Sequence, residues 1–192
     1  MSKLRLGISM SLDGFVAGTN ISPQLPMGEN GMRLHDWIFA RKTDADGRII
    51  EELMKGCGAV IIGRHTYDVA IDGGWGGASP FPVPAIIIST TVPEKQVDGF
   101  RFIKGVADAV KMAKEIAAEK NIWVMGGANI AQQFIHAGLI DEMQINLAPI
   151  LLGKGVKLFG DNCPFTDLEG IEIIETPAAV HIKYKVKRLN DT

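Results

Sequence analysis

Short apolar runs alternating with helix-period segments organise this chain. Residues 4–9, 59–62, 85–89 and 122–125 have strand length and β-branched content, and are bounded by Gly, Pro or polar residues. In the last three (AVII, AIII and IWVM) the apolar run is almost unbroken, as a strand covered on both faces requires. They predict central strands with helices on each side. Val106, Ala109, Val110, Ala113, Ile116 and Ala117 recur at helical spacing, while Lys111, Lys114, Glu115 and Glu119 lie off that stripe. A second helix is predicted from Ala128, with Ile130, Phe134 and Ile135 inward and a stop at Gly138. A less regular helical pattern runs through DADGRIIEELMK, between Ile38 and Lys55.

From Met143 the pattern changes to MQINLAPILL, IEIIET and VHIKYKVKRL, strands with no helix-length segment between them. Val180, Ile182, Tyr184 and Val186 alternate with His181, Lys183, Lys185 and Lys187, predicting a buried face and a solvated basic one. The expected fold is therefore α/β: a mostly parallel central sheet flanked by helices in three layers, with antiparallel C-terminal strands. The Gly-rich stretch 72–84 sits between two core-type strands of one sheet and reads as a surface loop.

Composition adds boundaries. The chain's 192 residues suit one domain, 1–192, and 46% hydrophobic against 22% charged residues is enough to build a core. A formal net charge of −2 gives no global basic field, so neither nucleic acid nor an anionic membrane is an expected partner. Cys57 and Cys163 are too few and too far apart for a zinc knuckle, a CxxC pair or a disulfide framework, and no metal site is expected. Without a signal-like start or a run of membrane-span length, the expected setting is the cytoplasm.

Candidate chemistry concentrates where strands end. No GxGxxG follows the first strand, and GxxxxGK[ST], HExxH and GxSxG are absent. In WVMGGANIAQQFI, however, a strand ends in Gly126-Gly127 and a helix begins at once. Paired glycines allow close backbone approach, and the helix's free amides and positive dipole end favour a phosphate. AVIIG runs into Gly63-Arg64-His65-Thr66-Tyr67, and AIII into Ser89-Thr90-Thr91. In open α/β sheets ligands bind at that edge. Guanidinium, hydroxyl and amide donors after three core strands favour a dinucleotide, with a single-phosphate ligand second.

These motifs carry a resemblance. GRHTY at 63–67, ISTT at 88–91 and MGGANIAQQF at 125–134 resemble the cofactor-binding elements of dihydrofolate reductase. SMSLDGFVAG at 9–18 and PILLGKGVKLF at 149–159 are similar to the reductase domain of riboflavin biosynthesis, which shares that fold. The resemblance implies a dihydrofolate reductase-like domain that binds NADPH and transfers hydride to a heterocyclic or ribosylamino-pyrimidine small molecule, as 5-amino-6-(5-phosphoribosylamino)uracil reductase does. Carried over by motif, Arg64, His65 and Thr66, with Gly63 before them, would meet cofactor phosphates. Ser89 and Thr90 would meet the adenosine 2′-phosphate, and Gly126, Gly127, Ala128, Asn129 and Ile130 the pyrophosphate. Val16 and Ala17 would border the nicotinamide. Asn129 stands where dihydrofolate reductases often carry arginine. Between Gly31 and Asp72 the chain lacks the His/Arg-rich helix and Asp-Asn-Pro loop of the riboflavin reductases.

On the substrate side, Asp13 in SLDG and Asp36 in LHDWIF are the candidate catalytic carboxylates, placed to hydrogen-bond a heterocycle and help deliver a proton. Each has another role open to it, Asp13 as a turn residue and Asp36 as an N-cap. Trp37 and Phe39 suit either an aromatic pocket or core, as do Tyr67 and Trp75. The alternatives are a folate or pterin reductase, and a dinucleotide-binding module without turnover, which gains if both carboxylates point away from the nicotinamide. The riboflavin reductases are commonly homodimers, and the C-terminal ribbon presents an edge that a partner would cover.

Overall fold

The structure, a computed structural model, describes residues 2–94 and 96–188, so residues 1, 95 and 189–192 of the expected domain lie outside the described residues. The chain runs β1 (Leu4–Ser11), β2 (Phe15–Ala17), a 3-10 turn (Gly31–His35), α1 (Asp44–Gly56), β3 (Cys57–Gly63), α2 (Arg64–Ala70), β4 (Ala85–Ile88) and β5 (Phe100–Ile103). It continues through α3 (Val106–Ala117), β6 (Asn121–Gly126), α4 (Ala128–His136), β7 (Glu142–Ala148), β8 (Val156–Lys157), β9 (Leu168–Glu175) and β10 (Val180–Val186). An eight-stranded sheet has the order β5-β4-β3-β6-β1-β7-β10-β9. It is parallel from β5 to β7 and antiparallel where β10 joins β7 and β9. This is the expected α/β architecture.

β3 shows why the apolar runs are nearly unbroken. Ala59 and Ile61 face a cluster with Ala109, Ala113 and Ala117 of α3 and Phe134 of α4. Val60 and Ile62 face Tyr67, Ile87 and Phe100 on the other side. All four of these β3 residues are fully buried, and Val60, Ile61 and Ile62 each contribute about 1.5–3 kcal/mol by leaving water. The fit of α3 over β3 is close: a Cβ at Gly58 would lie 2.7 Å from Ala117 Cα, so only glycine fits there.

Three local expectations are corrected. β5, with sequence FRFI, was hidden by Arg101, which stands exposed on an edge strand. α1 starts at Asp44 rather than near Ile38, because Thr43 caps it: the Thr43 hydroxyl accepts from the Asp46 amide while the Asp46 carboxylate accepts from Thr43 N. Asp36 is therefore no N-cap; it closes the 3-10 turn. On β10 the buried residue is His181, on the face expected to be solvated, whereas Val180, Ile182 and Tyr184 are only half buried. Trp37, edge-on to His181 at 4.8 Å, and the start of α1 cover that face.

Candidate active site

A cavity of about 930 Å³ opens along the sheet, at the upper end of the range for small-molecule sites. The sheet order divides it. One half lies over the C-terminal ends of β5, β4, β3 and β6, the other over β1 and β7 beneath α1 and the 3-10 turn.

In the first half, β3 ends at Gly63 and leads directly into α2, and Gly63, Arg64, His65 and Thr66 line the cavity. Ser89, Thr90 and Thr91 follow β4, Lys104 and Gly105 follow β5, and Gly127, Ala128, Asn129 and Ile130 follow β6. Arg64 ties α2 to the loop after β4. Its Nε donates to Asp68 Oδ1 at 2.7 Å, and its Nη1 donates to Thr91 Oγ1 at 2.9 Å, Thr91 O at 3.0 Å and Ser89 Oγ at 3.3 Å. The guanidinium thus belongs with the Ser89–Thr91 loop, leaving Nη2 outside these bonds. Thr66 Oγ1 accepts the Gly127 amide at 3.0 Å, joining α2 to the double-glycine turn. Gly126 adopts φ +106, a conformation that favours glycine. A Cβ at Gly63 would lie 2.9 Å from Ile130 Cγ1, so this glycine lets α4 approach β3. Asn129 Oδ1 accepts from Gln133 Nε2 at 2.7 Å.

The second half is built from distant parts of the chain. Val16 and Ala17 of β2 also line the cavity, and Ser9, His35, Trp37, Gln144 and Asn146 supply polar atoms. Trp37 Nε1 donates to Ser9 Oγ at 2.9 Å. His35 has burial as the cause of a pKa lowered to about 4, which keeps its imidazole neutral near pH 7. Ile49, Ile50, Leu53 and Met54 of α1 form an apolar wall. Behind Asn146, Asp46, His181 and Asn146 form a hydrogen-bonded row in which all three residues are buried. Burial pushes the Asp46 carboxyl up, but the Thr43 hydroxyl and amide and His181 outweigh it and hold it below the usual range.

Of the cofactor residues expected from sequence, all but Gly126 line the cavity; Gly126 shapes the turn behind it. The two candidate carboxylates are not brought there. Asp13 accepts from Ser11 Oγ at 2.6 Å, Leu152 N at 3.1 Å and Gly153 N at 2.7 Å, pinning the loop after β7. The Ser11 hydroxyl and these amides hold its carboxyl below the ordinary value against the opposing effect of desolvation. Asp36 pairs with Arg33 at 3.0 Å and Arg41 at 3.8 Å, away from the cavity lining. Trp37 lines the cavity and Phe39 is exposed, while Tyr67 and Trp75 pack in the aromatic layer with Phe100.

Residues 2–181 match the family model for the RibD C-terminal domain. The chain is 45% identical over 174 residues to the uncharacterized protein YyaP of Bacillus subtilis (strain 168), covering 83% of this chain and 81% of that one. A solved structure from Shewanella sp. PV-4, named for riboflavin biosynthesis, superposes with a TM-score of 0.74 at 24% identity over 97% of this chain and 99% of that one. Dihydrofolate reductase from Enterococcus faecalis, solved with NADP(H) and RAB-propyl, superposes with a TM-score of 0.63 at 15% identity over 97% of each chain. These two likenesses show the fold.

Proposed function

From the premise that this chain belongs to the RibD C-terminal domain family, we propose that it is an NADPH-dependent reductase of a small heterocyclic molecule, folded as a single domain. The observation that carries this reading is the first half of the cavity: phosphate-compatible donors at the ends of adjacent parallel strands, bound to one another through Arg64 and Thr66. They fit a dinucleotide. Ala128, Asn129 and Ile130, at the start of α4, would receive the pyrophosphate with Thr66 beside them. Arg64, Ser89 and Thr90 would receive the 2′-phosphate, and Lys104 adds a cation on that side. Val16 and Ala17 would border the nicotinamide.

Such a cofactor supplies hydride when bound. The chain's own contribution is to orient both rings and exclude water through Trp37 and the α1 wall. With Asp13 and Asp36 turned elsewhere, neither is assigned proton delivery. That placement also favours a second reading, a dinucleotide-binding module without turnover. Consumption of NADPH during a screen of pterins, folates and ribosylaminopyrimidines separates the two: substrate-dependent oxidation supports the reductase, and saturable NADPH binding without turnover of any of them supports the module.

A homodimer and a cytoplasmic setting belong to the same proposal. Ile171 and Ile173, 49% and 70% exposed on the edge strand β9, give a partner an apolar contact. Light scattering should give about twice the monomer mass of 20.8 kDa; the monomer mass throughout the micromolar range contradicts the dimer. Among the described residues no helix is long and apolar enough to cross a membrane.

A further inference from the structure

Leu53 and Met54 stand on the inward side of α1 yet join none of the buried core clusters of the described residues. Both are only half buried, and with Ile50 they line the cavity. An apolar helix face ordinarily closes on the sheet beneath it, but α1 is held off. Near its start, His181 Nε2 donates to Asp46 Oδ1 at 2.9 Å, and Ile49 packs with Trp37, Ala178 and Ala179. At its end, Gly56 runs without a break into Cys57 of β3. Fixed at both ends, α1 roofs a preformed apolar chamber.

The sheet side of this chamber is aromatic. Trp123 and Met125 of β6 line the cavity with Gly7 of β1. Trp123 Nε1 donates to Gly7 O at 2.9 Å, which engages the one polar atom of the indole. A Cβ at Gly7 would lie 2.9 Å from that nitrogen, so glycine lets the ring lie against β1. What remains for a ligand is indole carbon, with the Met54 and Met125 thioethers on the same cavity wall. Such a surface favours an aromatic ring, through stacking and sulfur–aromatic contact.

Charge narrows the occupant. Among the described residues lining the cavity there is no carboxylate, and Arg64, His65 and Lys104 all lie in the β3–β5 half. Beyond Leu53, Arg5 and Lys183 border a small recess together with Glu52 and Glu172. Arg5 pairs with Glu142 at 2.7 Å, and Lys183 stands opposite Glu172 across β10 and β9, so each cation there faces a carboxylate. A phosphate beneath α1 would lose its hydration without gaining a cation of its own.

We propose that the chamber beneath α1 holds an uncharged aryl group of the substrate, stacked on Trp123 and walled by Leu53 and Met54, and rejects a phosphorylated one. Trp123 and Leu53 are then specificity-determining residues. This subsite deepens the proposed reductase reading, and rests on it for giving the β3–β5 half to the cofactor.

Calorimetric titration of the full chain, with and without saturating NADP+, tests the proposal. The probes are 2-naphthol, its saturated counterpart decahydro-2-naphthol, and 2-naphthyl phosphate. With NADP+ present, 2-naphthol should bind about tenfold more tightly than its phosphate ester and about threefold more tightly than the saturated alcohol, the worth of an aromatic contact beyond area alone. Trp123→Leu should erase the preference for the aromatic ring. Leu53→Arg should reverse the order of 2-naphthol and its phosphate ester, because it places a cation beneath α1, while leaving NADP+ affinity unchanged. A purely structural role would weaken all three probes equally, and melting curves of both variants establish that they are folded; if Trp123→Leu is not, the wild-type ranking and Leu53→Arg decide. If NADP+ binds but 2-naphthol does not, or binds no better than its phosphate ester, or keeps its lead in Leu53→Arg, the proposal is overturned and the cofactor reading stands. If NADP+ fails to bind the wild-type chain, the cofactor reading falls instead, and reversal by Leu53→Arg alone decides the chamber.

Discussion

The two halves of the cavity are assembled in opposite ways. In the cofactor half each element is local: a strand ends, and its donors follow within a few residues, as in GRHT after β3 and GGANI after β6. In the other half Ser9, Trp37, Asn146 and His181 come from four separate segments and meet only because the sheet order sets β1 beside β7 and β7 beside β10. The first half is cationic and hydrogen-bonded to itself; the second is neutral, walled by aliphatic side chains, and braced by one buried polar row. One arrangement suits a recurring charged ligand, and the other leaves its specificity to apolar side chains and a few amides.

The difference can be broken most forcefully from the neutral side. Asp46→Ala removes both the α1 capping box and the partner of a buried histidine. It should cost about 3–5 kcal/mol of unfolding free energy, as breaking a buried pair does, read from urea denaturation; a loss under about 1 kcal/mol would mean that the row does not brace the site. On the charged side, Gly127→Val places its side chain against Thr66 Oγ1, 3.3 Å from the Cβ position. NADPH affinity should fall by about 100-fold with the fold retained, and an unchanged affinity would sink the cradle.

His35 distinguishes the halves by pH. Its folded pKa, about 4, lies below the unfolded 6.5, so the unfolded chain binds more protons between these values. The contribution is complete above about pH 6.5 and is lost as pH falls toward 4, by at most about 1.4 kcal/mol per pH unit and less where solvent reaches the partly buried ring. His35→Gln should flatten the melting temperature over that interval; equal slopes would refute this origin.

Arg64→Lys keeps the charge but loses the fork that spans Asp68, Ser89 and Thr91. NADPH binding should weaken by about tenfold, with NADH binding much less affected, and parallel titrations read the contrast. The smallest effect is expected from Asp36→Asn, whose carboxylate is bound to Arg33 and Arg41 outside the cavity. Turnover of whatever substrate the screen finds should change by less than about threefold; a large loss would return Asp36 to the catalytic role expected from sequence.

This contrast explains what the sequence revealed. Strands buried on both faces, the α3 stripe and the Gly138 stop are periodic signals, and β3, β4, β6, α3 and α4 were legible from them. Donors placed just after a legible strand were legible too, and Lys104 was missed because β5, broken by Arg101, was missed. His35, Gln144 and Asn146 carried no local signature. Asn146 lies in an ordinary alternating strand, and His181 stood among lysines on a face assigned to solvent. Only pairing of β7 with β1 and β10, together with the packing of α1 over them, makes these residues a site. Asp13 lies outside the cavity because its partners Leu152 and Gly153 are fixed by a loop path that spacing does not reveal, and Asp36 because Arg33, three residues before it, and Arg41 hold its carboxylate.

The most direct test of the central claim is titration of the purified protein with NADPH and with NADH, followed by nicotinamide fluorescence. Saturable binding with NADPH the tighter ligand is the predicted result. Binding of neither would contradict it, leaving the donors at the β3, β4 and β6 ends as features of the fold without a dinucleotide to hold.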